Sequence, residues 1–212
     1  AHITEMIISG MVYKPIVLQF TVPEGFTYNK LAERLIALGV GSKEEFDKLF
    51  IDKEFITELA VPSITLEGFI FPATYVFTKM PTAREAIAST VQTFFERLPA
   101  NYLSDIEQKG LSLQAAVSFA SLIELETQHD DERSMVAEVI WNRLKKGMGL
   151  GIDASVIYGI KDYDGNIRTR HLQDASNLYN SRIHKGLPPT PIGSPSTDSL
   201  LAVLSPTNEG YY

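Results

Sequence analysis

The sequence lacks several features that define common classes of protein. None of its 212 residues is cysteine, so disulfide frameworks and thiolate metal sites are excluded. The net charge of −7 leaves no basic excess of the kind that binds nucleic acid or anionic lipid. No run reaches the ~20 apolar residues of a membrane span. HExxH and GxSxG motifs and a phosphate-binding glycine loop are also missing, so we expect neither a metal site nor a cofactor.

What the chain does contain is enough apolar sequence for a real core, since 44% of its residues are hydrophobic. The first part predicts the order strand, helix, helix, strand. β-Branched and aromatic residues at 17–22 and 69–77 favour strands, although Pro72 suggests an edge or a break in the second. Thr27 can cap the first helix, and Ser42 opens a capping box for the next one. We expect residues 1–80 to form this small unit, with the two strands in one sheet.

Residues 81–212 are predicted to be mainly helical and rich in loops. Thr82 opens a capping box before "AREAIASTVQTFFERL", and two more helical segments, "SLQAAVSFASLIELE" and "DERSMVAEVIWNRLKK", follow. A proline-rich loop then precedes a short helix opened by Ser196. The expected fold class is α+β. The final "NEGYY" resembles the start of a strand, so we expect the chain to be part of a longer protein whose membrane anchor lies upstream.

Two carboxylates interrupt an apolar helix at "ELET". At about 100° per residue, Glu126 shares a face with Phe119 and Leu122, and Glu124 lies on the opposite side with Val117. The expected solvent-facing stripe lies between them and consists of Gln114, Ser118 and Ser121. A carboxylate on an apolar surface is costly unless it is paired, hydrogen-bonded or protonated.

Two hypotheses follow for these glutamates. They pair with basic residues near the helix end, Arg133 or Arg143, or one of them is a general acid whose pKa is raised by an apolar wall. Periodicity alone does not choose between Glu124 and Glu126 for the second role.

Polar residues in the last third of the chain are further candidates for a site. Asp153 is predicted to cap the helix "ASVIYG", with or without a second role in the site. Asn142 lies late in a helix, where an asparagine makes a buried hydrogen bond or contacts a ligand. Tyr158, Tyr179 and Asn180 are suited to sugar binding by stacking and hydrogen bonding.

Four stretches together are more specific than any of these residues alone. They are "LEGFIFPATYVF", "ASLIELETQHDDERSMVAEVIWNRLKKGM", "DASVIYG" and "YNSRIHKGLPPTPIGSPSTDSLLAVLSP". In this order and spacing they resemble the YceG-like endolytic murein transglycosylases, from about Pro23 to the C-terminus. The resemblance implies a LysM-like subdomain at 1–80 and a lysozyme/transglycosylase-like catalytic domain at 81–212. It also implies a bacterial inner-membrane protein that acts in the periplasm on peptidoglycan glycan strands, with peptidoglycan synthases as candidate partners.

The resemblance also ranks the site residues. The family's Glu-Thr pair falls on Glu126 and Thr127, which makes Glu126 the expected catalytic residue and Glu124 the second choice. The expected substrate-binding residues are Asn142, Asp153, Tyr158, Tyr179 and Asn180. The chain departs from the family pattern at Gly151 and Ile152, which replace Gln and Thr, at Arg182, where an aromatic residue is common, and at Ser196, where glycine is common.

The implied reaction uses one carboxyl group twice. Glu126 protonates the glycosidic oxygen between N-acetylmuramic acid and N-acetylglucosamine, then takes the proton of the muramic C6 hydroxyl, and a 1,6-anhydro ring closes. One alternative is a muramidase in which Asp153 or Glu124 activates a water molecule. A second alternative is a glycan-binding or scaffold protein without activity.

Overall fold

Helices dominate the part of the chain that the computed structural model describes, residues 15–127 and 129–212, and one small sheet accompanies them. The fold is therefore α+β, as predicted. The elements in chain order are β1 (Leu18–Thr21), α1 (Tyr28–Ala37), α2 (Lys43–Ile51), α3 (Lys53–Glu58), β2 (Thr74–Phe77), α4 (Ala83–Arg97), α5 (Tyr102–Gln108), α6 (Leu113–Glu126), a 3₁₀-helix (Asp130–Glu132), α7 (Arg133–Lys145), α8 (Asp153–Tyr158), α9 (Thr169–Leu172) and α10 (Thr197–Leu204). Residues 1–14 of the predicted N-terminal unit lie outside the described residues.

The two predicted strand regions share a sheet, but three helices, α1 to α3, lie between them where two were predicted. β1 and β2 pair antiparallel, with Leu18 opposite Phe77 and Thr21 opposite Thr74. The predicted second strand was too long, because only Thr74–Phe77 pairs with β1. Residues 69–71 form a buried loop instead. Pro72 follows this loop and lacks the N–H that a strand would need.

Capping residues determine where several helices begin. The Thr27 side chain accepts a hydrogen bond from the Lys30 N–H and starts α1. Complete capping boxes open α2 at Ser42 and α4 at Thr82. These starts were predicted because the capping bonds are local, between residues three apart in the sequence.

The helix that ends in the "ELET" stretch is buried on nearly all sides. Ser118 and Ser121 on α6 are 1% and 0% exposed, so the predicted solvent-facing stripe is wrong at these two positions. The Ser121 hydroxyl donates to the Ser118 carbonyl and accepts a bond from the Ile192 N–H at 3.1 Å. These bonds allow the Ser121 hydroxyl to face the core, whereas the buried Ser118 hydroxyl has no hydrogen-bond partner among the described residues.

One continuous hydrophobic core includes residues of β1, α1 and β2 together with residues of α6, α7 and α10. Leu31 and Leu35 of α1 are fully buried in it, as are Phe119 and Leu122 of α6. The boundary between two units near residue 80 therefore stays a prediction. Within the described residues, every helix is too short or too polar to cross a membrane.

Candidate active site

Glu126 is the last residue of α6 and stands at a cavity of about 260 Å³. The helix ends here because Thr127 takes an extended conformation, with φ −137° and ψ 144°. The cavity lies between α7 and the loop before α8, and most of its walls are apolar, formed by Val136, Val139, Ile140, Leu150 and Ile152. The carboxyl group therefore leaves a buried helix and enters an apolar space that is open to solvent.

The surroundings raise the pKa of Glu126 above its usual value. Loss of water around the carboxyl group is the largest cause, and the negative charge of Asp153 adds to it. The Arg143 guanidinium, which also lines the cavity and donates to the Leu150 carbonyl, acts in the opposite direction. A carboxyl group with a raised pKa stays protonated nearer to neutral pH, as a general acid requires.

Glu124 lies two residues earlier and has a different environment. It is 8% exposed. Its Oε2 atom accepts hydrogen bonds from the Ser196 N–H at 2.7 Å and the Ser196 hydroxyl at 2.6 Å, and its Oε1 atom is 3.4 Å from Arg133 Nη2. The predicted pairing with Arg133 is thus confirmed for this glutamate. Its carboxylate is committed to joining α6, α7 and the start of α10.

Asp153 does not cap α8, contrary to the prediction. The helix begins at Asp153 itself, Ile152 occupies the capping position, and no side chain caps the helix. The Ile152 N–H is held by the Ser181 hydroxyl at 3.0 Å, which places Asp153 within the first turn. The Asp153 carboxylate instead accepts bonds from Arg182, 3.2 Å from Nε and 2.7 Å from Nη2. Arg182 thus provides the partner for this aspartate.

A comparison with models of protein families shows to which family this chain belongs. The model of the YceG-like family matches residues 1–212. The chain belongs to the YceG-like family. The resemblance expected from the four stretches is thus confirmed.

Relatives within the YceG-like family are similar over most of this chain. A Bacillus subtilis (strain 168) protein named endolytic murein transglycosylase is 30% identical over 207 residues, covering 91% of this chain and 57% of the relative. A Streptococcus pneumoniae (serotype 2, strain D39) protein of the same name is 27% identical over 218 residues, covering 92% of this chain and 39% of the relative. The chain thus spans roughly half the length of these relatives.

A solved structure supports the same relationship. The crystal structure of a Listeria monocytogenes protein described as YceG-like is similar to this fold, with a TM-score of 0.82 and 28% sequence identity. The similarity covers 98% of this chain and 72% of that chain. The arrangement of helices around Glu126 therefore belongs to a fold that occurs in a solved YceG-like structure.

The two predicted asparagines hold backbone segments in place. The Asn142 amide donates to the Tyr211 carbonyl at 2.8 Å and so helps to place Tyr211 at the cavity. Asn180 is fully buried, and its amide donates to three carbonyls at the end of α9 and just after it, those of His171, Leu172 and Asp174. Neither asparagine lines the cavity at Glu126.

The two predicted tyrosines lie together at the far end of α8. Their ring centroids are 4.8 Å apart in an edge-to-face arrangement. The Tyr158 hydroxyl donates to Glu67 Oε2 at 2.9 Å, and the Tyr179 hydroxyl is 2.8 Å from Thr190 Oγ1. The structure therefore brings Glu126 together with Arg143 and places the charge of Asp153 near it, but it does not bring the tyrosines to this cavity. Their contact with a sugar stays a prediction.

Glu67 was not predicted as a site residue, although it is 1% exposed. It accepts hydrogen bonds from the N–H groups of Tyr28 and Gly68 and from the Tyr158 hydroxyl. Burial nevertheless raises the pKa of Glu67 to about 7. The signal in the sequence was a glutamate inside the apolar run "LEGFIF", which is the same signal that drew attention to "ELET".

Proposed function

We propose that this chain contains the active site of an endolytic murein transglycosylase and that Glu126 is its proton donor and acceptor. The observation that most supports this proposal is the position of Glu126 at a largely apolar cavity, where loss of water raises the pKa of its carboxyl group. Glu124, the alternative acid, is committed to Ser196 and Arg133. The names of the relatives from Bacillus and Streptococcus support the same activity.

In the first step, protonated Glu126 donates to the glycosidic oxygen between N-acetylmuramic acid and N-acetylglucosamine. The bond from the muramic C1 to this oxygen breaks, and N-acetylglucosamine leaves with the proton on its oxygen. Positive charge develops at C1 in an oxocarbenium-like transition state. The Glu126 carboxylate that remains is attracted by the Arg143 guanidinium, which lines the same cavity.

In the second step, the same carboxylate accepts the proton of the muramic C6 hydroxyl. The C6 oxygen bonds to C1, which closes the 1,6-anhydro ring and returns Glu126 to its protonated form. The apolar walls favour this step because a poorly hydrated carboxylate is more basic than one in water. They also disfavour entry of water, which would give a hydrolysed product instead.

The muramidase alternative requires a second carboxylate that activates water. The environments of both candidates argue against it. Asp153 is ion-paired with Arg182, and the Glu124 oxygens accept bonds from Ser196 and face Arg133. A single-carboxyl reaction therefore fits the site better than two-carboxyl hydrolysis.

Digestion of purified glycan strands, followed by mass spectrometry, tests the proposal. We expect products that end in anhydro-muramic acid, which are lighter than hydrolysed ends by one water. Glu126→Gln keeps the side-chain shape but cannot transfer a proton, so turnover should fall by roughly 10²–10⁴-fold while folding stays normal. Glu107→Gln, on the exposed face of α5, is the matched control. Hydrated ends would indicate the muramidase, and binding without turnover would indicate the scaffold.

The proposal extends to the cellular setting of the protein. It places the active site on peptidoglycan in the bacterial cell envelope, with the whole protein anchored in the inner membrane, the domain in the periplasm and a peptidoglycan synthase as partner. It also includes a LysM-like unit at 1–80 and a catalytic domain at 81–212. Cell fractionation of the full-length protein tests the location, and glycan titration of the separately expressed units tests the division.

A further inference from the structure

The Glu67 carboxyl group joins two parts of the molecule that are far apart in the sequence. It lies in the loop between α3 and β2 and accepts a hydrogen bond at 3.0 Å from the N–H of Tyr28, the first residue of α1. Its other oxygen accepts a hydrogen bond at 2.9 Å from the hydroxyl of Tyr158, which lies 91 residues later in the chain. A buried carboxyl group with such partners holds both segments strongly, because its hydrogen bonds are shielded from water.

Tyr158 is the last residue of α8, and the opposite end of this helix borders the Glu126 cavity. α8 has six residues, so its two ends are only ~9 Å apart. Gly151 and Ile152, immediately before the helix, line the cavity. A helix of this length moves as one body, so a shift at Tyr158 is transmitted to the cavity wall.

Other contacts join α8 to a neighbouring loop at residues 177–181. The Ser155 hydroxyl donates to the Tyr179 carbonyl at 2.6 Å, and the Asn177 amide donates to the Val156 carbonyl at 2.9 Å. These bonds fix the helix to the loop. The bond from Tyr158 to Glu67 fixes the helix to the segment that precedes β2.

We propose that Glu67 is a positioning residue for the reaction at Glu126. By its hydrogen bond with the Tyr158 hydroxyl, Glu67 fixes the position of α8. It thereby fixes the position of the cavity wall at Gly151 and Ile152. The proposal rests on the proposed function for its catalytic consequence, but the placement of α8 is measurable without any substrate. Glu67 itself does not touch the cavity at Glu126 and transfers no proton.

Four variants test the Tyr158–Glu67 link by its effect on turnover. Tyr158→Phe and Glu67→Leu each remove it from one side and should lower kcat by about tenfold to 100-fold, since small misplacements at a site have effects of this size. The double variant should be no worse than the poorer single variant. Glu67→Gln can accept from the Tyr28 N–H and donate to the Tyr158 oxygen, so its kcat should stay within about threefold of the parent protein.

Hydrogen exchange of the amides at 150–158 provides the measurement that needs no substrate. Tyr158→Phe should exchange faster there. Tyr75→Phe is the matched control, because it removes a buried tyrosine bond of 2.7 Å to the Phe71 carbonyl in another part of the fold. It should change neither exchange at 150–158 nor turnover.

The outcomes separate this proposal from the proposed function. Unchanged exchange at 150–158 and unchanged turnover per folded Tyr158→Phe molecule would overturn it. Glu67→Gln as inactive as Glu126→Gln would also overturn it, by giving Glu67 a proton-transfer role. If the parent protein releases no anhydro-ended glycan, the proposed function fails, and the exchange comparison of Tyr158→Phe with Tyr75→Phe alone decides the placement of α8.

Discussion

The Oε2 atom of Glu124 accepts two hydrogen bonds from Ser196, at 2.7 Å from its N–H and at 2.6 Å from its hydroxyl. Ser196 is also the residue that caps α10. The contact therefore ties the last turn of α6 to the first turn of α10. Since Glu126 is the last residue of that same turn, the Glu124 carboxylate holds the backbone that carries the proposed acid.

Glu124→Gln is expected to destabilise the protein while leaving measurable turnover per folded molecule. The change removes the negative partner of Arg133, which is 5% exposed. Asp130 remains bonded to Arg133, so we expect a loss of about 2–3 kcal/mol in the free energy of unfolding, measured by urea denaturation. Ser196→Ala removes both the cap and the hydroxyl's bond to Glu124 but keeps the bond from the Ser196 N–H, so it should cost about 1–2 kcal/mol. A stable but inactive Glu124→Gln, with an active Glu126→Gln, would exchange the two roles.

Two charge changes beside Glu126 should move the pH dependence of turnover in opposite directions. The general acid must be protonated, so kcat/KM falls as pH rises through the pKa of Glu126. Asp153→Asn removes a charge that raises this pKa, and the fall should move to lower pH. Arg143→Met removes a charge that lowers it, and the fall should move to higher pH. Movement in the same direction would contradict this account of the site.

The same Asp153→Asn variant should be only slightly less stable than the parent protein. Asp153 does not cap α8, and its ion pair with Arg182 is partly exposed. Such pairs contribute ~0–1 kcal/mol, so pH profiles can be measured on folded protein. Thermal unfolding at each pH gives the necessary control.

Protonation of Glu67 should make stability depend on pH near neutrality. Its pKa is about 7 in the folded protein against the usual 4.5. Between these values the folded state binds one more proton than the unfolded state, so the free energy of unfolding falls as pH rises. One proton corresponds to about 1.4 kcal/mol per pH unit. Urea denaturation from pH 5 to 7 should show that the free energy of unfolding of Glu67→Gln depends less on pH than that of the parent protein. An unchanged slope would mean that other groups cause the pH dependence.

Gly68→Ala should destabilise the fold more than Gly110→Ala. Both glycines have positive φ, +81° and +75°, so both substitutions share the backbone cost of a left-handed conformation. A Cβ at Gly68 would lie 2.3 Å from the Cβ of Pro191, whereas a Cβ at Gly110 has open space around it. We expect a difference of about 2 kcal/mol in the free energy of unfolding, the size of a core overpacking effect. Equal losses would show that Pro191 moves aside freely.

Local features of the fold were readable from the sequence. Thr27, Ser42, Thr82 and Ser196 begin helices in the structure as predicted. Capping bonds join residues two or three positions apart, so the necessary information lies within a few residues. The pairing of the two strand regions was also predicted, but the length of the second was not, because its first half is drawn into the core.

Contacts between residues that are far apart in the sequence determine the roles of the site residues, which the sequence alone did not predict. The residues of "ELET" predict two acidic side chains on an apolar helix, but only Ser196 and Arg133, which come from other elements, commit Glu124 to a structural role and leave Glu126 at the cavity. The burial of Ser118 and Ser121 likewise follows from surrounding elements and not from helical periodicity. A side chain's pKa and role depend on which charges and donors surround it, and for a buried carboxyl group such as Glu67 those neighbours are brought together only by the tertiary fold.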